Sequence, residues 1–449
     1  MDHASILHVP HFFPVQRLIR TPTAEEWERF RIYTGRVIEL QVGVSFGCGV
    51  CSETMSFLGL QSTIDPLWPR FTSLRLKNTL SWDSVASTLA FLSPKIKTLA
   101  LILPRDTSIL LRPILSTASG RCRWVQELVL DVVVDHPDSD PDSAHWIGGL
   151  PSTCGDTLHT LEICFPFKAE YLPILVNLPQ LRRLRLHTAH FPSNLPFNAF
   201  LALEELTILD FKGQSLQNFL RRLYTTRLKM AKIDSIDHID FKNLVAALFR
   251  FSDSLRHLEI SAVTDLDLFR FSAPRPLFAN LKTLHLRCFR WGETPHSACA
   301  IRPSDQAVAE LGMSMPNLTN LVLGSPTCIN AQRATFLSLI SLAKTCHDLE
   351  TLAIKVDFTT MITLTGEGAG TNTVSDETRG NGCRLRGLNV GTSTLPNHPD
   401  SEWLVAVGLR GIFPSLSTIN TGYGPEWSKW QKVEKNIMMS RQVLRAVGL

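Results

Sequence analysis

An α/β solenoid, with parallel strands on one face and helices on the other, is the fold class this 449-residue sequence predicts. Three observations carry that prediction. A short apolar pattern recurs fourteen times, several stretches between copies have helical periodicity, and the copies run nearly end to end. The chain is long enough for about three ordinary domains. The period replaces that estimate with one repeat array and two caps.

The pattern is an apolar residue, two variable ones, an apolar residue, one variable, and an apolar residue. It reads Val37-Leu40-Val42, Phe71-Leu74-Leu76, Ile96-Leu99-Leu101, Val125-Leu128-Leu130, Leu158-Leu161-Ile163, Leu181-Leu184-Leu186 and Leu203-Leu206-Ile208. A weak copy, Leu228-Ala231-Ile233, precedes Leu255-Leu258-Ile260, Leu281-Leu284-Leu286, Leu318-Leu321-Leu323, Leu349-Leu352-Ile354 and Leu385-Leu388-Val390. A degraded Leu416-Ile419-Thr421 closes the series. Starts from 37 to 416 give a mean spacing of about 29 residues. Residues two apart in a strand share a face, so Leu284 and Leu286 point inward while Thr283, His285 and Arg287 point out. One such strand cannot bury its apolar side alone; stacked parallel copies can.

The returns between copies are expected to be helical where they are long enough. Residues Asp83 to Leu92 carry apolar side chains at helical spacing behind a Ser/Asp cap, and Asp240 to Phe251, Ser304 to Met313 and Asn330 to Cys346 read likewise. Together these features spell a leucine-rich-repeat solenoid: a horseshoe with parallel strands on the concave face and helices on the convex face. The regular Asn of secreted repeats is absent, Ala189, Val263 and Phe289 standing in its place, which points to the intracellular class.

The ends read as caps. Residues 1–36 form an N-terminal cap in which Thr23-Ala-Glu-Glu26 is a capping box opening a helix from Ala24 to Tyr33; Trp27 and Phe30 are expected to cover the first strand. The repeat domain covers 37–424. Its Gly/Thr-rich segment 358–384 takes the place of a helix, and the centre of that segment is expected to be a flexible surface loop. In 425–449 a capping helix begins near Pro425 and runs to about Ala446, with Trp427, Trp430, Val433 and Ile437 on one stripe. Asn317-Leu-Thr319 is a glycosylation sequon by letter, but at the start of a strand it is expected to be inert.

Composition excludes several classes. With 45 Lys and Arg against 41 Asp and Glu, the net charge of +4 gives no reason to expect nucleic acid or an anionic membrane. No apolar run reaches the roughly 18 residues of a spanning helix. The first residues lack a secretory n-region and h-region. Ten scattered Cys read as reduced, buried thiols, hence a cytoplasmic or nuclear setting.

The segment Arg17-Leu-Ile-Arg20-Thr-Pro-Thr-Ala-Glu-Glu-Trp27-Glu-Arg-Phe30, with Tyr33, Arg36 and Val37 and the repeats behind it, resembles fungal F-box proteins with irregular leucine-rich repeats. The resemblance covers nearly the whole chain. It implies the substrate-binding arm of an SCF-type ubiquitin ligase, in which repeats hold the target and the F-box docks the adaptor. The residues before Arg17 do not match an F-box, so adaptor binding is expected only if such a unit lies upstream. The alternative is a repeat scaffold or regulator unrelated to ubiquitination.

No catalytic, cofactor-binding or metal-binding residues are assigned. Cys48-Gly-Val-Cys51 is half a zinc pattern with no second pair. Gly366-Glu-Gly-Ala-Gly370 lacks the Lys-Ser/Thr of a phosphate loop, and Glu25-Glu26 and Glu204-Glu205 are adjacent and diverge. Cys346-His347 reads as a core thiol beside a helix-end His. What remains is the outward strand face. Along it stand Arg75, Lys77, Glu127, Asp131, Glu162, Arg183, Arg185, His187, Glu205, Asp234, His257, Glu259, His285, Arg287 and Lys355. Signs alternate in blocks, which fits a protein partner and not a phosphate backbone. The candidate contacts are Arg75, Lys77, Arg183, Arg185, His187, His257, Glu259, His285, Arg287 and Lys355. The block Arg183-Arg185-His187 leads, because like charges on one strand repel until something acidic meets them.

Overall fold

A computed structural model describes residues 22–43, 69–77, 91–104, 111–133, 147, 149–166, 168–188, 191, 199–211, 215–235, 241–261, 278–287, 301, 303–324, 334–361, 382–421 and 426–446. Residues 83–90 of the helix expected over Asp83–Leu92, the Cys48/Cys51 pair, the glycines at 366–370 and most of the 358–384 segment lie outside these residues, and Phe91 and Leu92 are buried but not helical. The chain divides into two compact units, residues 1–209 with 222–225 and residues 210–221 with 226–449.

In the first unit the strands are β1 (Glu39–Gly43), β2 (Ser73–Lys77), β3 (Thr98–Pro104), β4 (Glu127–Val133), β5 (Thr160–Pro166), β6 (Arg183–His187) and β7 (Glu205–Phe211), whose last two residues belong to the second unit. Each pairs in parallel with the one before it. The second unit holds β8 (Met230–Ser235), β9 (His257–Ile260), β10 (Thr283–Leu286), β11 (Asn320–Leu323), β12 (Thr351–Ile354), β13 (Gly387–Gly391) and β14 (Thr418–Thr421), again parallel and in chain order.

The apolar motif is a register code. Its middle residues face one another across strands, as Leu74↔Leu99, Leu99↔Leu128 and Leu128↔Leu161 in the first unit and Ala231↔Leu258, Leu258↔Leu284 and Leu284↔Leu321 in the second. The weak copy is a complete rung, since Leu228, Ala231 and Ile233 are all fully buried. Register is set just ahead of each strand, where one carbonyl accepts two successive N–H groups from the next repeat. The Lys97 carbonyl takes those of Gln126 and Glu127 at 2.7 and 2.9 Å, and the His159 carbonyl those of Arg182 and Arg183 at 2.8 and 2.9 Å. The last copy departs from the code: Gly391, not Val390, lies opposite Thr421. The shift needs a residue at φ 54°, which glycine adopts without cost from a Cβ.

Helices form the second layer. α1 (Ala24–Thr34) carries the complete capping box, Glu26 N–H donating to Thr23 Oγ1 and Thr23 N–H to Glu26 Oε2. Trp27 and Phe30 are only half-buried and stack edge-on to each other at 5.5 Å, while Thr34 is the buried residue of the helix. There follow α2 (Leu111–Arg121), α3 (Leu150–Cys154), α4 (Leu172–Leu175), α5 (Ser215–Arg222) and α6 (Phe241–Leu248). α7 (Asp305–Ser314), α8 (Phe336–Thr345), α9 (Ser401–Ile412) and α10 (Trp427–Ala446) complete the α-helices of the described residues. The helix expected from Asn330 begins at Phe336 with Thr335 as its cap; residues 330–333 lie outside the description.

α7 and α8 are tied at their N-termini. Asp305 accepts from Thr335 N–H at 2.7 Å, from Thr335 Oγ1 at 2.6 Å and from Ser338 Oγ, so one carboxylate caps a neighbouring helix. At the C-terminal end of the chain, Trp430 Nε1 donates to the Ser393 carbonyl at 2.9 Å, and its ring meets Phe358 at 5.1 Å. Phe358 and Met361, at the edge of the 358–384 segment, are therefore core residues. Trp430, Val433 and Ile437 form the buried stripe of α10, but Trp427 is 42% exposed and lies off it. Asn317 Nδ2 donates to the Ala279 carbonyl at 2.7 Å, so the sequon side chain is held against the preceding repeat.

Two substitutions test this layer by denaturant unfolding. Asp305→Ala removes three acceptor contacts and is expected to cost about 2 kcal/mol, with Asp305→Asn recovering part of it. Trp430→Ala empties a fully buried site and is expected to cost about 4 kcal/mol; a loss below one quarter of that in either variant contradicts the assigned role.

Candidate functional site

Alternation turns the residues between the motif positions away from the core, and register lines them up across strands. In the first unit this outward face is a lattice of opposite charges. Arg75 Nε meets Glu39 Oε1 on β1 at 2.7 Å, and Thr98 Oγ1 donates to Glu127 Oε2 at 3.2 Å. Arg183 Nε lies 3.0 Å from Glu205 Oε1 on β7, and Arg185 Nη1 3.5 Å from Glu162 Oε2 on β5. His187 Nδ1 stands 3.4 Å from the Cys164 carbonyl. Burial pushes the Asp131 carboxyl above its ordinary range, and the charges of Arg185 and His187 pull it back.

These distances alter the argument for the basic block on β6. The acidic groups that relieve its repulsion are already supplied by β4, β5 and β7. The three residues are brought together as expected, but as the centre of a cross-strand network. Lys77 is exposed on β2, four strands from β6, about 19 Å away at normal strand spacing.

In the second unit Glu259 is the hub. Its Oε2 meets Lys232 Nζ at 3.2 Å and its Oε1 meets Arg287 Nη1 at 3.1 Å. His257 Nδ1 lies 3.1 Å from Thr283 Oγ1. His285, beside this hub, is half-buried, with Nε2 lacking a hydrogen-bond partner among the described residues. Burial lowers its pKa; Asn320 and Glu259 oppose the shift, while Arg287 and Lys232 add to it. The ring is therefore neutral at pH 7, and protonating it would set a third cation beside Lys232 and Arg287. Lys355 follows β12, two strands from β10, and stands apart from this hub.

Sequence reasoning named ten contacts and missed Lys232, because it sits in the copy weakened by Ala231; its place one residue after the middle motif position is the signal that finds it. Among the described residues the thiols are held in their protonated, unreactive form. Burial pushes Cys122 up to about 12 and Cys154, Cys164 and Cys346 up to about 11. Among the described residues no group of three or more His, Cys, Asp or Glu could hold a metal ion, and no helix is long and apolar enough to cross a membrane.

No protein-family model matches the chain, and no characterised protein matches its sequence. Solved structures do match. One is an internalin from Listeria monocytogenes, 11% identical over 90% of this chain and 87% of that chain, with a TM-score of 0.35. Another is a leucine-rich-repeat protein from Leptospira interrogans, 14% identical over 90% of this chain and 93% of that chain, with a TM-score of 0.38. The fold assignment rests on this chain's own strands: parallel pairing, chain order and the leucine register make it a leucine-rich-repeat α/β fold.

Proposed function

We propose that this chain is a non-catalytic protein-recognition module whose partner lies on the outward strand face. The observation that carries the reading is the cross-strand charge lattice. Arg75, Arg183, Arg185, Glu259 and Arg287 are each held by an ion pair to a neighbouring strand, so their positions are set before any partner arrives. A pre-ordered pattern of both signs selects a partner by matching charges and rejects mismatched ones. The reading assigns no cofactor, no nucleic acid and no membrane, and sets the protein in the cytoplasm or nucleus.

The finer form of the proposal is the recognition arm of an SCF-type ubiquitin ligase subunit. It is supported by the segment from Arg17 to Val37, whose capped helix Ala24–Thr34 leads into the first strand as the resemblance implies. Capture of the SCF adaptor by a chain extended upstream would support that form, and failure of such a chain to bind it would leave the scaffold reading.

The test is cross-linked capture from cell extract, comparing the native chain with the R183E/R185E variant. Exposed pairs of this kind contribute about 0–1 kcal/mol each, so the variant stays folded. Recovery of partners in contact with β6 is expected to fall about tenfold. An unchanged partner list would sink the surface assignment.

A further inference from the structure

The residue after each first leucine stands outside the core, just ahead of its strand, and its carbonyl carries the paired bonds described above. In the second unit three successive repeats place a cation there: Lys229, Arg256 and Lys282, all exposed, with exposed Arg227 two residues before the first. Their backbones are fixed to one another. Arg256 and His257 N–H donate to the Lys229 carbonyl at 2.8 and 3.0 Å. Lys282 and Thr283 N–H donate to the Arg256 carbonyl at 2.8 and 3.0 Å, and Thr319 and Asn320 N–H to the Lys282 carbonyl at 2.8 and 3.0 Å. The cations therefore stand at the strand spacing, about 4.8 Å per step, in a row about 10 Å long.

This row differs from the outward face in how its charge is met. On the face, Glu259 answers Lys232 and Arg287. On the row, Arg256 and Lys282 form no ion pair with any described residue. The row also has an end: the next two repeats place Thr319 and Glu350 at this position, with exposed Asp348 beside the latter.

We propose that Lys229, Arg256 and Lys282 form a docking edge for a short acidic peptide segment of a partner protein, bearing carboxylates or phosphates and lying across the strands. The cations are uniform in sign and their Cα positions are fixed by backbone bonds, so an anionic segment meets a row of set spacing and binding has only the exposed side chains to order. A nucleic acid backbone fits less well, because a phosphate-tracking surface must continue in one sign and this one loses its positive charge after three rungs, at Thr319 and Glu350. The proposal is independent of the outward-face reading, since the two surfaces share none of their named residues.

The experiment is fluorescence anisotropy on the full chain with three labelled ligands: a hexaglutamate peptide, a peptide of the same length carrying phosphoserines, and a single-stranded oligonucleotide. At least one peptide is expected to bind, less tightly as salt rises, and the tighter of the two identifies carboxylate or phosphate as the recognised group. R256E/K282E is expected to weaken that binding about tenfold while K344E, at an exposed cation on α8, leaves it unchanged. If R256E/K282E does not fold, R256Q/K282Q replaces it with an expected loss of about threefold. Equal affinity in the native chain and the folded variant overturns the proposal. So does an oligonucleotide that binds more tightly than both peptides, or neither peptide binding at all.

Discussion

One carbonyl holding two amides is the bond on which the rest depends. A parallel strand cannot fold back directly on its predecessor, so each repeat must find its register after a long return path. The shared carbonyl settles it before the strand begins, at Lys97, His159, Lys229, Arg256, Lys282 and their equivalents. With that point fixed, the middle and last motif residues fall opposite their counterparts, and a slip of one residue would turn every leucine of the strand into water. Each buried leucine contributes about 2 kcal/mol relative to exposure, so the bond acts as a gate for a much larger apolar gain. The same registration lines up the polar positions, which is why glutamates meet arginines one strand away.

The parts of this architecture legible in the sequence are those that depend on local spacing. First, middle and last motif residues could be named from the letters because period two and a 29-residue repeat leave few alternatives. The capping box at Thr23 and the Ser304 cap were readable for the same reason: donor and acceptor lie within one turn. The Thr335 cap was hidden, because the carboxylate that supports it comes from Asp305, thirty residues earlier. Val390 is buried as its letters imply, but the bulge that sets Gly391 opposite Thr421 at φ 54° leaves no trace in the pattern.

The candidate surface was legible in composition and not in pairing. Alternation gave Arg183, Arg185 and Glu259 as outward residues, but ion pairs between strands need a register that letters do not print. Reading charge along one strand made the β6 block look unsatisfied. Reading it across strands shows compensation there, and in the second unit cations without an ion pair to any described residue at Arg256 and Lys282, just ahead of β9 and β10. The electrostatic character of a repeat protein thus belongs to rows running across the repeats, so that single residues are informative only with their counterparts one repeat away.

The last repeat has a different problem. A strand with no successor leaves a line of amides that any extended chain could adopt as a template, and a parallel stack is built to accept one more layer. Here the Ile419 N–H donates to Glu434 Oε1 at 3.2 Å, and α10 lies against β14 with Trp430 anchored beneath it. A carboxylate in that place occupies a donor that an incoming backbone would need, and its charge is unwelcome to a bare carbonyl. That donor is therefore already taken from within the chain, by the helix that packs on the strand Thr418–Thr421.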